Sequence, residues 1–163
     1  MTGNNSSRAI VVGEMVASSA WLGAALLVVT VVAPVAFAAL PTRTLAGQLV
    51  GAVLPPLFYA GIVIGSLVVA ASVTTRHGGI VTLGTVGGFL VAVSCAGAQF
   101  AVAPRIERTR ASIGGPVEAL AASDPRRLAF GHLHGASVLL LGVAMLGAAT
   151  VTGAAAATLR RTR

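Results

Sequence analysis

The sequence predicts an all-α, polytopic membrane protein built as a single bundle of four spanning helices. Three observations carry that expectation. Of 163 residues, 56% are apolar and 9% are charged, and the mean hydropathy is +0.92. A soluble domain of this size needs roughly 25% charged residues to cover its surface, so a water-soluble globule and a disordered chain are both excluded. Four apolar runs, each at least the ~20 residues that cross a hydrocarbon core, are separated by charge or turn chemistry. Finally, two short connections and one long one are the loop pattern of a helix bundle.

The runs place helices over 10–40, 45–73, 80–103 and 125–158 within one membrane domain spanning 1–163. The first is too long for a signal-peptide core, so it reads as a retained helix, and Glu14 inside it reads as an interfacial residue. The second carries Pro55-Pro56, which frees backbone carbonyls; Gln48, Tyr59, Ser94 and Gln99 are candidates to line the space so opened. Asp124 followed by Pro125 is the clearest helix start in the chain. The polar stretch 104–124 holds Gly114-Gly115-Pro116 and then Val117 to Ala122, where a short surface helix is expected.

An internal repeat is visible. Val32-Ala33-Pro34 followed by Gly47-Gln48-Leu49-Val50-Gly51-Ala52 is matched by Val102-Ala103-Pro104 followed by Gly131-His132-Leu133-His134-Gly135-Ala136. Two helix hairpins repeated in the same orientation would be related by an axis along the membrane normal, and Gly47 would then overlay Gly131.

Helices in lipid associate through small residues that let backbones approach. Gly84 and Gly88, Gly131 and Gly135, and the seven-residue series Gly135, Gly142, Ala149 are the candidate packing or partner-docking surfaces. All eleven basic residues are Arg, and the net charge is +7. Arg105, Arg108 and Arg110, directly after the third helix, and Arg126 and Arg127, at the start of the fourth, are expected to meet anionic lipid head groups. Orientation is not decided by charge: Arg8, Arg76, Arg160, Arg161 and Arg163 share one side and six arginines the other. No aromatic interleaving accompanies the basic residues, so nucleic acid is not an expected partner.

His132 and His134 are about 200° apart on a helix and cannot chelate one metal together. His134 shares a face with Ser137 and is expected to look into the bundle and hydrogen-bond a neighbouring helix. Neither a hydrolase triad nor a phosphate loop nor a carboxylate pair is present, and Cys95 stands alone, so the chain reads as non-enzymatic, with no cofactor.

Trp21-Leu22-Gly23, Val32-Ala33-Pro34, Ala46-Gly47, Pro104-Arg105-Ile106 with Arg108, and Phe130 followed by Leu133-His134-Gly135-Ala136-Ser137 together resemble the transmembrane protein 205-like family of unknown function. The resemblance runs from about Glu14 to Ala149. It implies four membrane helices and no established activity. Together with the composition it suggests an accessory or structural subunit that binds other membrane protein subunits, within a larger energy-transducing complex of a bacterial inner membrane. A looser similarity to copper-resistance and haem-binding membrane bundles gives the alternative, a redox or transport protein holding haem or metal with His134 as ligand. Those bundles usually carry a histidine in an early helix, and the first helix here has none.

Overall fold

A computed structural model describes residues 2–75 and 83–161, with side chains from residue 5 and excluding 74 and 75. The first helix, α1, is one rod in three stretches: α-helical Thr2–Leu27, π-helical Val28–Val32 and α-helical Ala33–Ala39. Next comes α2, Arg43–Thr75, unbroken through Pro55 and Pro56. Then α3, Leu83–Ile113, contains a π-helical Gly97–Val102, and α4 is Pro125–Arg161. A single 3-10 turn, Val117–Ala119, lies in the last connection. All four helices are long and apolar enough to cross a membrane, and their outward faces are apolar: Leu67, Leu139 and Leu146 are each more than 60% exposed. Such faces would be costly in water and suit lipid, which is the solvent this bundle fits.

Successive helices run antiparallel. α3 lies between α2 and α4, and α1 closes the ring against α4 and α2. A hydroxyl pair, Ser19 with Thr152 at 3.3 Å, joins α1 to α4. Thr30, Thr150 and Thr158 return their hydroxyls to carbonyls four residues earlier, so they carry no unpaired group into lipid.

The core is centred on Trp21. Its indole N–H donates to the Leu57 carbonyl at 2.8 Å, across from α1 to α2. That approach requires Gly61: a Cβ there would lie 2.5 Å from Cys95 Sγ and 3.0 Å from the indole. One missing side chain therefore brings three helices to a point. Between α2 and α3, a Cβ at Gly65 would meet the Gly88 carbonyl at 2.5 Å, and one at Gly88 would meet Val68 at 2.7 Å. Between α3 and α4, a Cβ at Gly87 would lie 2.6 Å from the Gly147 carbonyl, and one at Gly147 would lie 2.7 Å from the Gly87 carbonyl. These are backbone-to-backbone contacts of the kind that small residues permit in membranes.

The π turns have a local cause. Each precedes an Ala-Pro pair, and proline offers no N–H to the turn before it and crowds the carbonyl four residues back. The helix widens by one residue instead of breaking, so that Ala33 N–H reaches the Val28 carbonyl and Ala103 N–H reaches the Ala98 carbonyl. Because α3 survives Pro104 in this way, it continues to Ile113, ten residues past its expected end at 103. The expected surface helix shrinks accordingly to Val117–Ala119, and Gly114 at φ 66° ends α3 in the left-handed conformation.

The same comparison divides the sequence repeat. The Ala-Pro half recurs in structure as a matched pair of π turns. The glycine half matches less closely: Gly47 is half-buried, its would-be Cβ 3.9 Å from Arg110, whereas Gly131 is exposed with nothing within 4 Å; the second glycines, Gly51 and Gly135, are alike, both exposed with nothing within 4 Å.

Candidate functional site

Two surfaces hold the sequence's chemistry: the membrane end that carries the α1–α2 turn and the α3–α4 connection, and the outer flank of α4. At ~1.5 Å per residue the 31 residues of α3 exceed a ~30 Å hydrocarbon core, so its last turns stand at head-group level. Arg43, Arg105, Arg108, Arg110, Arg126 and Arg127 gather at this end. The opposite end holds Arg8, Arg160 and Arg161, while Arg76 and Arg163 lie outside the described residues, as do His77 and Ile80 to Thr82.

Most of the five predicted head-group arginines have protein partners. Arg110 pairs with Glu107 at 2.9 Å and lies over the Phe130 ring at 5.9 Å, tying α3 to α4. Arg126 pairs with Asp124 at 2.9 Å and reaches the Ser112 carbonyl at 3.4 Å. Arg127 donates to the Leu120 carbonyl at 2.7 Å. Arg105 folds back onto the Ala101 carbonyl at 3.3 Å, within the π turn, while Arg108 stays exposed. Asp124 caps α4 as its sequence position predicts: the Arg126 backbone N–H donates to Asp124 Oδ1 at 2.8 Å. The Arg126 side chain, then this backbone donor, holds the Asp124 carboxyl below the ordinary carboxylate value.

Between the start of α2 and the end of α3 lies an open cup of about 680 Å³. Its α2 wall is Thr42, Thr44 and Gln48; its α3 wall is Arg110; the connection adds Pro116 and Glu118. Thr42 is fixed by its own role as the α2 cap, accepting from Leu45 N–H at 3.2 Å.

The polar group expected around Pro55-Pro56 is split. Gln99 Nε2 does reach the Tyr59 hydroxyl, at 3.5 Å, with Phe100 edge-on to Tyr59 at 6.0 Å, but Gln48 belongs to the cup and Ser94 to the buried side of α3. Within the π turn, Gln99 Oε1 is buried without a partner. The space beside Pro56 is instead an apolar groove of about 590 Å³ between α1 and α2, floored by Ala17, Ala20, Ala24 and Ala60.

His134 does not enter the bundle. It is exposed and stacks on Phe130, parallel at 6.5 Å, because residues four apart share one flank and that flank faces out. His132 is exposed as well, and among the described residues no three His, Cys, Asp or Glu side chains gather as metal ligands.

On α4 the predicted stripe also faces out. Gly131, Gly135, Gly142 and Gly153 have nothing within 4 Å of a would-be Cβ, and Ala149 is exposed. At 100° per residue these five positions fall within about 40° of one another, opposite the buried Ala144, Ala148 and Val151. Val138, Leu139 and Leu146, all more than half exposed, stand beside this furrow. Gly84 and Gly88, by contrast, are buried. The packing glycines that matter most inside, Gly61, Gly65, Gly87 and Gly147, are not told apart from the open ones by spacing; only which helix face carries core residues separates them.

Fold and surface together define a polytopic four-helix membrane protein. Residues 16–114 match the model of a family described as a domain of unknown function (DUF4149), and the chain belongs to that family. No curated protein and no solved structure matches the chain. The match spans α1 from Val16 through the end of α3.

Proposed function

We propose that the protein is a non-enzymatic accessory subunit of a larger bacterial inner-membrane complex, and that it docks a transmembrane helix of a neighbouring subunit along the outer flank of α4. The observation that carries this reading is the furrow Gly131, Gly135, Gly142, Ala149, Gly153, open along its length and bordered by exposed Val138, Leu139 and Leu146. Glycine costs a helix up to ~1 kcal/mol per residue relative to alanine, and inside this bundle glycines sit where backbones meet. On the outer flank of α4 the same residue type meets nothing within the chain, and a second helix lying in the furrow would give it the close approach that small residues allow. Kinship with the transmembrane protein 205-like family and an energy-transducing complex as host belong to the same proposal. Haem or metal ligation through His134 gains no support, since its ring is stacked on Phe130 and, among the described residues, no three His, Cys, Asp or Glu side chains gather as ligands.

Affinity purification of the tagged full chain from native membranes, followed by mass spectrometry, tests the proposal. A stoichiometric membrane protein recovered with wild type and lost with Gly142→Leu supports it. Monodisperse monomer in both cases refutes it.

A further inference from the structure

We propose that the cup at the loop-bearing end seats the head group of a phospholipid that carries both a phosphate and a primary ammonium. Four features point to that chemistry. The cup opens at head-group depth, where α2 begins and α3 emerges from the hydrocarbon region. At about 680 Å³ it has room for a phosphate, an ethanolamine-sized arm and water. Its walls carry opposite charges: Arg110 on α3 and Glu118 on the connection. Its remaining polar groups, Thr42, Thr44 and Gln48, offer hydroxyl and amide hydrogen bonds from the α2 side.

Arg110 is the phosphate anchor. Glu107 engages only its Nη1, and Phe130 covers the guanidinium from one side, which leaves the Nη2 donors directed across Gly47 toward α2. Side-chain exposure of 27% keeps that group within reach of a ligand at the surface. Arg126, Arg127 and Arg105 are held by Asp124, the Leu120 carbonyl and the Ala101 carbonyl, and of the arginines at this end Arg110 alone lines the cup, so a specific contact there falls to Arg110 rather than to the cluster as a whole.

Glu118 decides between lipid classes. A purely anionic head group would set its charge against this carboxylate, which repels it. A choline head group presents methyl groups and no N–H. A primary ammonium gives Glu118 a charge-assisted hydrogen bond while its phosphate pairs with Arg110, so both walls are satisfied by one molecule. The acyl chains then run beside exposed Leu45 and Leu49 on α2.

The test is native mass spectrometry of the full chain released from nanodiscs holding equal amounts of phosphatidylethanolamine, phosphatidylcholine and phosphatidylglycerol with identical acyl chains. Wild type is expected to retain phosphatidylethanolamine at least fivefold over phosphatidylcholine (on the order of the ~1 kcal/mol of one charged surface contact). Glu118→Gln should erase that preference while total phospholipid retained stays the same. Arg110→Gln should lower retention of both. Should Arg110→Gln fail to fold, the Glu118→Gln result alone decides. Soluble phosphoethanolamine should displace the lipid only weakly; full displacement would assign the cup to a soluble metabolite and overturn the lipid source. Equal retention of the zwitterionic lipids by wild type, an unchanged preference in Glu118→Gln, or a preference for phosphatidylglycerol would each overturn the proposal.

Discussion

The two flanks of α4 use glycine in opposite ways. On the inner flank, Gly147 lets the α4 backbone rest against Gly87 of α3, and a Cβ at either position would strike a carbonyl oxygen. On the outer flank, Gly131, Gly135, Gly142 and Gly153 meet no atom of the chain. Inside, the small side chain is spent on closeness within the bundle. Outside, the same helix keeps a smooth furrow bordered by exposed leucines. The contrast teaches that small-residue spacing announces a helix contact without naming the partner; the core residues on the facing flank do that.

The largest expected effect is on the inner contacts. Gly87→Leu should separate α3 from α4, since its Cβ begins 2.6 Å from the Gly147 carbonyl, and should destabilise the bundle by about 3 kcal/mol, the upper end of overpacking costs. Thermal unfolding followed by circular dichroism in mild detergent would show it; an unchanged midpoint would mean that the crossing is looser than described. Trp21→Phe comes next. Losing the indole bond to the Leu57 carbonyl should cost about 1 kcal/mol, within the range of single interhelical hydrogen bonds in membranes, because that carbonyl also belongs to the α2 helix. Gly142→Leu should then leave the isolated monomer within about 0.5 kcal/mol of wild type, as a surface substitution does. A large loss of monomer stability at Gly142 would break the comparison between flanks.

The smallest effect is the acid response of the α4 cap. Asp124 is held below its ordinary value by Arg126. A carboxylate depressed in the folded state adds stability above its unfolded value and loses it as pH falls through the folded one. Thermal midpoints taken between about pH 6 and pH 3 should therefore fall more for wild type than for Asp124→Asn, which keeps an acceptor for the Arg126 N–H but has no charge to lose.

Much of the architecture could be read directly from residues. Charge and turn chemistry marked four spans, and Asp124-Pro125 marked the start of α4, because caps and apolar length are local properties of the chain. The end of α3 was misread at Pro104 because a proline normally stops a helix, whereas here a π turn absorbs it. The sequence places His134 inside, yet the side of α4 that faces the core is set by Ala144, Ala148 and Val151 about three to five turns away. In the sequence Trp21 stands out only as the single tryptophan; its bond to Leu57 depends on Gly61, forty residues distant, and on Cys95. The cup was illegible for the same reason, since Thr42, Arg110 and Glu118 meet only after α2 and α3 have packed.

Site-specific photo-crosslinking in native membranes tests the central claim most directly. A photoreactive residue at Leu146, beside the outer furrow of α4, should yield a discrete adduct with a second membrane protein, and the adduct should disappear when Gly142→Leu fills the furrow. The same residue at Leu67, equally lipid-facing on α2, should label lipid alone. Identical labelling from both positions, or an adduct at Leu146 that survives Gly142→Leu, would contradict the assignment of this flank as a subunit interface.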